Sequence, residues 1–292
     1  MHDVHLKQVT LGATRITTSA LALGCDRLGS ILTPLSRRES LSLISEALDL
    51  GIHHFDTANI YGQGHSERYL GRALKHVRNR VCLATKAGQR LTSLQALVAG
   101  VKVPLRAILR MRRKAQGDVR RQKALATGSN FTPSYIETSL LASLRRLNTD
   151  RVDILYLHSP PSDVLGDDRL LRLLARQREL GRIGAIGVSC DDIDVALAAA
   201  KHELVEIVQF ELTDDARCRE IMEIANSGGK ISIVRGVARR AAHSRIDFAT
   251  DFARSVTSAL ELPSVCGVIV GTTNAHHLRS NVAALRSTLS EY

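Results

Sequence analysis

The sequence predicts an α/β protein, a (β/α)8 TIM barrel with an N-terminal β-hairpin and a basic helical insertion after the third strand. Short apolar segments alternate with amphipathic segments along most of the 292 residues. Eight strand–helix units are typical of a closed barrel of about 250 residues, the length that remains when residues 89–130 are set aside as the insertion. The alternative is an open doubly wound sheet, but no G-x-G-x-x-G motif follows a predicted strand.

Each predicted strand is a short and nearly continuous apolar run, as expected for parallel strands that are buried on both faces. After the hairpin, the eight strands are predicted at 21–24, 52–56, 81–85, 152–157, 184–188, 206–210, 231–234 and 267–270. We expect residues 1–292 to form a single barrel domain, with the insertion 89–130 placed between strand three and helix three.

Capping residues mark where several predicted helices begin. Ser36 and Glu39 have the spacing of a capping box. Thr132 stands before Pro133, a residue favoured at the first helical position. Asn274 precedes the last helix, whose apolar residues recur at helical spacing.

The insertion 89–130 holds most of the excess positive charge. The formal net charge of the chain is +11, and this segment has ten basic side chains and one acidic side chain. Apolar residues at helical spacing around Pro104 predict two short helices, the second of them basic and amphipathic. We expect a basic lid beside the carboxyl ends of the strands, suited to an anionic substrate. A solvated segment with no role in specificity is the alternative.

Four titratable side chains of complementary type stand where predicted strands end. Asp56 ends one strand, and Tyr61 follows in its loop. Lys86 and His158 end two later strands. Because all strands of a barrel end at one pocket, we expect these residues to meet. A phenol has a pKa near 10, and a nearby ammonium favours its ionised form. Lys86 is therefore expected to lower the pKa of Tyr61 and make it a proton donor.

The motifs around these residues resemble those of the aldo-keto reductase superfamily, over nearly the full chain. The similar stretches are DTANIYGQGHSE (56–67), TK (85–86), SLRRLNTDRVDILYLHSP (143–160), GRIGAIGVS (181–189) and VGTTNAHHLRSNVAAL (270–285). The resemblance implies a barrel that binds NADP(H) without a Rossmann motif and reduces a small aldehyde or ketone to an alcohol.

The resemblance also implies a catalytic tetrad formed by Asp56, Tyr61, Lys86 and His158. Tyr61 would donate a proton to the carbonyl oxygen as the cofactor delivers hydride. Lys86 would lower the pKa of the phenol, and Asp56 would hold Lys86. His158 would orient the carbonyl and share its developing charge.

Cofactor contacts are implied at the remaining strand ends and in the last helix. These positions are Gly24, Ser189, Cys190, Gln209, Val234, Arg235, Gly271, Thr272, His277 and Asn281. Four depart from the usual residue types of the family. Cys190 replaces an asparagine and Val234 an aromatic residue, while Gly271 replaces a lysine and His277 an arginine. Arg279 lies close enough in sequence to substitute for the lost arginine, and NADP(H) is favoured over NAD(H).

A second hypothesis is an NADP(H)-binding redox-sensing or regulatory subunit with slow or no turnover, since such a subunit keeps the same residues. The insertion 89–130 would then dock to an anionic protein partner. An anionic membrane surface is a further possible partner for this basic segment. No aromatic residue interleaves the basic run, so specific nucleic-acid binding is not expected.

The remaining composition favours a cytoplasmic protein. Attachment to a membrane surface through the insertion is a further possibility. No apolar run reaches the roughly 18 residues of a membrane span, and the polar start does not look like a secretory signal. The five cysteines form no C-x-x-C pair. We expect reduced thiols and no metal site.

Overall fold

Eight parallel strands close into a barrel in this computed structural model, which describes residues 6–30, 35–91, 127–237 and 248–290. The strands in chain order are β1 (Gln8–Thr10), β2 (Thr17–Ser19), β3 (Leu21–Gly24), β4 (His54–Asp56), β5 (Cys82–Ala87), β6 (Gln89–Leu91), β7 (Thr127–Ser129), β8 (Val152–His158), β9 (Ile183–Ser189), β10 (Ile207–Glu211), β11 (Ile231–Arg235) and β12 (Val265–Val270). The barrel runs β3-β4-β5-β8-β9-β10-β11-β12, and β12 pairs with β3. The predicted barrel and its eight strands are confirmed.

Eight α-helices occur in the described ranges, and most follow a barrel strand. They are α1 (Arg37–Asp49), α2 (His65–Ala73), α3 (Pro133–Leu147), α4 (Asp168–Glu179), α5 (Ile193–Lys201), α6 (Ala216–Ser227), α7 (Phe248–Leu260) and α8 (Ala275–Ser290). None of the helices described is long and apolar enough to cross a membrane.

Capping hydrogen bonds from the side chain are present at two of the three predicted helix starts and absent at the third. Ser36 and Glu39 form the reciprocal capping box at the start of α1. The Asn274 side chain accepts a hydrogen bond from the backbone N–H of His276 at the start of α8. Thr132 precedes Pro133 as predicted, but its hydroxyl donates to Asn130 instead of capping α3.

Two antiparallel hairpins accompany the barrel. The predicted N-terminal hairpin is confirmed as β1 and β2, and Leu11 between them packs with the barrel interior. The hairpin therefore covers the amino-terminal end of the barrel. The insertion begins and ends as a two-stranded antiparallel ribbon, β6 with β7, which the sequence did not predict. The two predicted helices of the insertion lie in 92–126, outside the described residues.

Side chains along each barrel strand alternate between the interior and the surrounding helices. One buried cluster fills the interior: Leu11, Cys82, Ala84, Ile154, Tyr156, Ala185, Ile207, Ile231 and Ile233. A separate, larger cluster packs the outer faces of the strands against the helices and includes Phe55, Leu83 and Val234. This alternation decides which residues at the strand ends open into the barrel.

His54 lies inside the barrel, two residues before Asp56, and is 1% exposed. Within the described part of the chain, neither ring nitrogen has a hydrogen-bond partner. Burial lowers the pKa of His54 from 6.5 to about 4; the negative charge of Asp56 opposes this shift and Lys86 adds to it. The folded barrel therefore holds a neutral imidazole beneath the strand-end residues.

The buried imidazole predicts a specific loss of stability in acid. Between its ordinary pKa and about pH 4, His54 binds a proton in the unfolded chain but not in the folded one. The free energy of unfolding should therefore fall as pH decreases through this window, by up to about 3 kcal/mol from this residue. Urea denaturation at pH 7 and pH 5 measures the fall.

We expect His54→Leu to reduce this pH dependence, because the substitution removes the titrating group. His76→Leu, at an exposed histidine, serves as the matched control and should keep the wild-type dependence. An unchanged pH dependence in His54→Leu would contradict the assignment.

Candidate active site

The carboxyl ends of three barrel strands bring an ion pair and an imidazole together. Asp56 is the last residue of β4, Lys86 the next-to-last of β5, and His158 the last of β8. The Lys86 ammonium donates to Asp56 Oδ2 at 2.5 Å and to the carbonyl oxygen of Thr57 at 2.9 Å. Lys86 is 2% exposed and Asp56 4% exposed. Because removing one partner would leave a buried charge without compensation, each member holds the other in place.

Tyr61 reaches this pair from a 3-10 turn, Tyr61–Gly64, that follows β4. Gly62 in this turn has φ 54°, and a Cβ there would lie 2.6 Å from the carbonyl oxygen of Leu28, so a larger residue would displace the turn. The Tyr61 ring centre lies 5.4 Å from Lys86 Nζ and 5.7 Å from the His158 ring centre, whose plane is nearly perpendicular to it. The four predicted catalytic residues thus form one cluster.

The electrostatics of Tyr61 differ from the expectation drawn from the sequence. Burial raises the pKa of Tyr61 well above 10, and the negative charges of Asp56 and Asp26 add to the shift, while Arg235 opposes it. The Lys86 ammonium, itself paired with Asp56 at 2.5 Å, does not outweigh these effects, so the expected net lowering of the pKa is absent. The phenol is therefore held in its protonated form.

Gln209 extends the hydrogen-bond network around Asp56. Its Nε2 donates to Asp56 Oδ1 at 3.1 Å, and its Oε1 accepts from the Ser189 hydroxyl at 2.7 Å. Ser189 ends β9, Gln209 lies in β10, and both are almost fully buried. The structure therefore brings these two predicted cofactor residues next to the tetrad.

A second buried network lies behind the strand that carries Lys86. The hydroxyl of Thr85 donates to Glu67 Oε1 at 2.7 Å, and Arg146 Nε donates to Glu67 Oε2 at 2.5 Å. The Glu67 side chain is 0% exposed. This network joins β5, α2 and α3, and sequence reasoning assigned it no role. The sequence feature that could have revealed this network is Glu67, the last residue of the 56–67 motif.

Arg235, at the end of β11, belongs to an ion-pair cluster at the mouth of the barrel. It donates to the Cys190 carbonyl oxygen at 2.6 Å and to Asp191 at 2.5 Å, and lies 3.9 Å from Glu211. Asp191 also accepts from the Ser159 hydroxyl at 2.8 Å. Burial alone would raise the pKa of Asp191, but Arg235 and Ser159 hold it below its ordinary value. Sequence reasoning missed Asp191, which stands beside the predicted Cys190.

Two predicted cofactor residues have side chains that do not open into the barrel. Val234 and Cys190 pack in the outer cluster with the helices, at 0% and 2% exposure. The reason is the strand alternation, because Arg235 and Ser189 beside them take the inward positions. Burial also raises the pKa of Cys190 to about 12. Because the Val234 side chain packs against the helices, a role for it as a nicotinamide face is not supported.

Two predicted glycines lie at the ends of β3 and β12. Gly24 ends β3, and a Cβ there would lie 3.0 Å from the Ile269 side chain, so the glycine permits close packing. Gly271 follows β12, is exposed, and has no atom closer than 3.8 Å to the position of a Cβ. The space beside Gly271 is thus open, whereas the space beside Gly24 is filled by Ile269.

The remaining predicted residues surround the start of α8. Thr272 accepts a hydrogen bond from the backbone N–H of Asn274 at 3.1 Å. His277 is exposed, whereas Asn281 is only 9% exposed. Arg279 forms an ion pair with Glu46 of α1 at 2.8 Å, and its side chain is 52% exposed. Arg279 is therefore tethered to α1, while about half of its side-chain surface remains exposed.

This set of residues fits a nicotinamide dinucleotide. Ser189 and Gln209 present a hydroxyl and an amide, groups that can pair with a carboxamide, beside the Asp56–Lys86 pair. The amino-terminal end of α8 presents backbone N–H groups and a positive dipole end, which favour a phosphate. Both features open at the same end of the barrel, because Gly271 and Thr272 directly follow β12.

Comparison with known proteins agrees with this geometry. The profile of the family described as "Aldo/keto reductase family" matches residues 20–226. Pyridoxal 4-dehydrogenase of Microbacterium luteolum is 26% identical over 290 residues, covering 91% of this chain and 82% of that protein. NADH-specific methylglyoxal reductase of Escherichia coli is 29% identical over 235 residues, covering 77% of this chain and 65% of that protein.

The fold is also that of solved structures. A Pseudomonas aeruginosa protein assigned to the aldo-keto reductases superposes with a TM-score of 0.74 at 26% identity, covering 98% of this chain and 97% of that one. The family match spans more than half of the chain and includes all four clustered residues, Asp56, Tyr61, Lys86 and His158. This chain belongs to the aldo-keto reductase family and is an NAD(P)H-dependent oxidoreductase.

Proposed function

We propose that this chain reduces an aldehyde or ketone to an alcohol, with Tyr61 as the proton donor. The observation that carries the proposal is the contact of the Tyr61 ring with both Lys86 and His158, at 5.4 Å and 5.7 Å. A carbonyl that becomes an alcohol must gain a proton on its oxygen. A phenol held in its protonated form at the mouth of the barrel can supply that proton.

The neighbours of Tyr61 support this transfer in different ways. Lys86 stabilises the phenolate that remains after the proton has left, because opposite charges attract strongly in a buried site. Asp56 keeps the ammonium in position through their 2.5 Å contact. His158, whose ring centre lies 5.7 Å from that of Tyr61, orients the carbonyl and stabilises the charge that develops on the carbonyl oxygen.

The cofactor contacts of the proposal involve the inward-facing residues. A bound NAD(P)H supplies the hydride. Ser189 and Gln209 would hold its carboxamide, and Gly271, Thr272 and Asn281 would hold its phosphate and adenine end, with Gly24 and Arg235 bordering the groove. Cys190 and Val234 support this groove only through the backbone and through packing.

Tyr61→Phe tests the proton donor. The variant should lose kcat by about 10²- to 10⁴-fold, because it lacks the transferable proton, while binding of NADPH, measured by cofactor fluorescence, persists. Tyr69→Phe is the matched control, since Tyr69 contacts His65 instead of the cluster, and we expect it to keep its activity.

Full turnover by Tyr61→Phe would overturn the proposed mechanism. A wild-type protein that oxidises bound NADPH only once and slowly, with every small aldehyde tested, would instead favour the regulatory-subunit hypothesis.

We further propose a preference for NADP(H), with Arg279 and His277 near the 2′-phosphate. NADP(H) differs from NAD(H) by this phosphate, and guanidinium groups bind phosphate well. Relatives use either cofactor: the Escherichia coli relative is named NADH-specific, and one from Schizosaccharomyces pombe is named for NADP(+). The preference for NADP(H) or NAD(H) must therefore be set by the residues near the 2′-phosphate.

Arg279→Ala should raise KM for NADPH by about 10-fold and leave KM for NADH unchanged, because only the phosphate contact is lost. Arg172→Ala is the control, an exposed arginine of α4 that pairs with Asp168. Equal loss with both cofactors, or a wild-type preference for NADH, would contradict the assignment.

We also propose that the insertion favours an anionic carbonyl substrate. Ten of its side chains are basic, and its ribbon β6–β7 directly follows the strand that carries Lys86. Charge of one sign near a cleft raises the local concentration of oppositely charged substrates. The same positive charge would also allow a cytoplasmic enzyme to bind an anionic protein partner or an anionic membrane surface.

Replacing residues 92–126 with a short Gly/Asn turn tests this role, because Leu91 and Thr127 face each other across the ribbon and a tight turn can join them. We expect kcat/KM to fall about 10-fold or more for anionic aldehydes and to change little for neutral ones at low salt. Co-sedimentation with anionic vesicles measures membrane binding in parallel. Equal effects on both substrate classes would exclude the proposed selectivity.

A further inference from the structure

We propose that Tyr156 is a positioning residue for Lys86, with its ring beneath the ammonium, and that Gly187 leaves the space that this ring needs. The inference deepens the proposed function, since it concerns the group that supports Tyr61. Tyr156 contacts neither substrate nor cofactor; it acts through Lys86.

The three residues form one row across neighbouring strands. Lys86 of β5 lies beside Tyr156 of β8 in the parallel register, and Tyr156 lies beside Gly187 of β9. Residues that are paired in this way place their side chains on the same face of the sheet. Tyr156 belongs to the interior cluster, so the row faces the inside of the barrel, two residues along the strands before His158 and Ser189.

The ammonium of Lys86 lies near the faces of two tyrosine rings. Lys86 Nζ is 5.6 Å from the ring centre of Tyr156 and 5.4 Å from that of Tyr61. Cations within about 6 Å of an aromatic ring centre are attracted by its quadrupole, more strongly where water is excluded. Tyr156 is 0% exposed, so this contact is fully desolvated.

The ring compensates for part of the cost of burying a lysine in the barrel. The Lys86 ammonium has Asp56 and the Thr57 carbonyl as hydrogen-bond acceptors. The aromatic ring adds a neutral, electron-rich surface on a further side. Burial raises the pKa of Tyr156 well above 10, with the negative charge of Asp56 adding to the shift, so the ring remains a neutral phenol and does not compete with Asp56 as an anion.

Gly187 has no side chain because Tyr156 occupies the space. A Cβ at Gly187 would lie 2.5 Å from both Cδ1 and Cε1 of Tyr156 and 3.2 Å from the carbonyl oxygen of Ile207. Contacts this short would force the ring to move. The backbone angle of Gly187 is not in the left-handed region, so the requirement for glycine here is one of space.

The test measures the charge state of Lys86 directly, without turnover. In protein with isotope-labelled lysine, NMR follows the Lys86 side-chain signal with pH, and the signal is identified by its loss in Lys86→Met. Tyr156→Leu should lower the titration midpoint of this signal by at least about half a pH unit, because losing the ring disfavours the ammonium. Tyr156→Phe keeps the ring face and should stay near the wild-type midpoint.

Ile154→Ala separates positioning from general loosening of the core. Ile154 lies two residues earlier on the same strand and in the same interior cluster, so its truncation leaves a cavity but keeps Tyr156. We expect a lower Tm in this variant with no change in the Lys86 midpoint. The inference fails if Ile154→Ala shifts the midpoint as much as Tyr156→Leu does.

Activity supplies a second readout. In Tyr156→Leu the basic limb of the pH profile of kcat should move to lower pH, because the Lys86 ammonium loses its proton more easily without the ring. KM values should change less than about two-fold, because no binding contact is removed. Gly187→Ala should act in the same direction. Where Tyr156→Leu does not fold, Tyr156→Met replaces it, since methionine adapts to irregular space.

The outcomes separate this inference from the proposed reductase function. A protein without carbonyl reductase activity, but with a shifted Lys86 midpoint in Tyr156→Leu, would overturn the function and keep the inference. An active protein whose Lys86 midpoint and pH profile are unchanged in folded Tyr156→Leu would overturn the inference alone.

Discussion

The buried ion pair between Asp56 and Lys86 is the constraint on which the rest of this site depends. A lysine inside a barrel is costly unless its charge is compensated. The 2.5 Å contact with Asp56, the Thr57 carbonyl and two tyrosine rings provide that compensation. Gln209 satisfies the other carboxylate oxygen of Asp56. These neighbours together compensate for the burial of one ammonium, so their positions depend on one another.

The Asp56–Lys86 pair also changes the interpretation of Tyr61. A lysine beside a phenol suggests an acidified tyrosine when the two are considered alone. In the folded protein, burial and the charge of Asp56 raise the pKa of Tyr61. The phenol is thus held in its protonated form, and in the proposed reaction Lys86 would stabilise the phenolate that remains after proton transfer. In the proposed reaction such a phenol can still donate its proton, because an alkoxide oxygen is a much stronger base than a phenolate.

The local patterns in the sequence predicted the barrel well, because they are set by neighbouring residues. Continuous apolar runs marked all eight strands, and the Ser36–Glu39 capping box marked the start of α1. Thr132 occupies the predicted cap position before Pro133, but its hydroxyl donates to Asn130 and forms no capping hydrogen bond with α3. The sequence predicted two short helices in the insertion and no strands at its ends, yet 89–91 and 127–129 pair as strands, a contact between segments far apart in sequence.

The sequence by itself determined the fold class, the family and the convergence of Asp56, Tyr61, Lys86 and His158, since strand ends in a barrel share one pocket. The tertiary structure decided which side chains face that pocket. Strand alternation turned Val234 and Cys190 towards the helices and Ser189 and Arg235 inward. It also decided the charge balance at Tyr61 and placed the Tyr156 ring beneath Lys86. These features depend on distances between strands, which no pattern along a single segment contains.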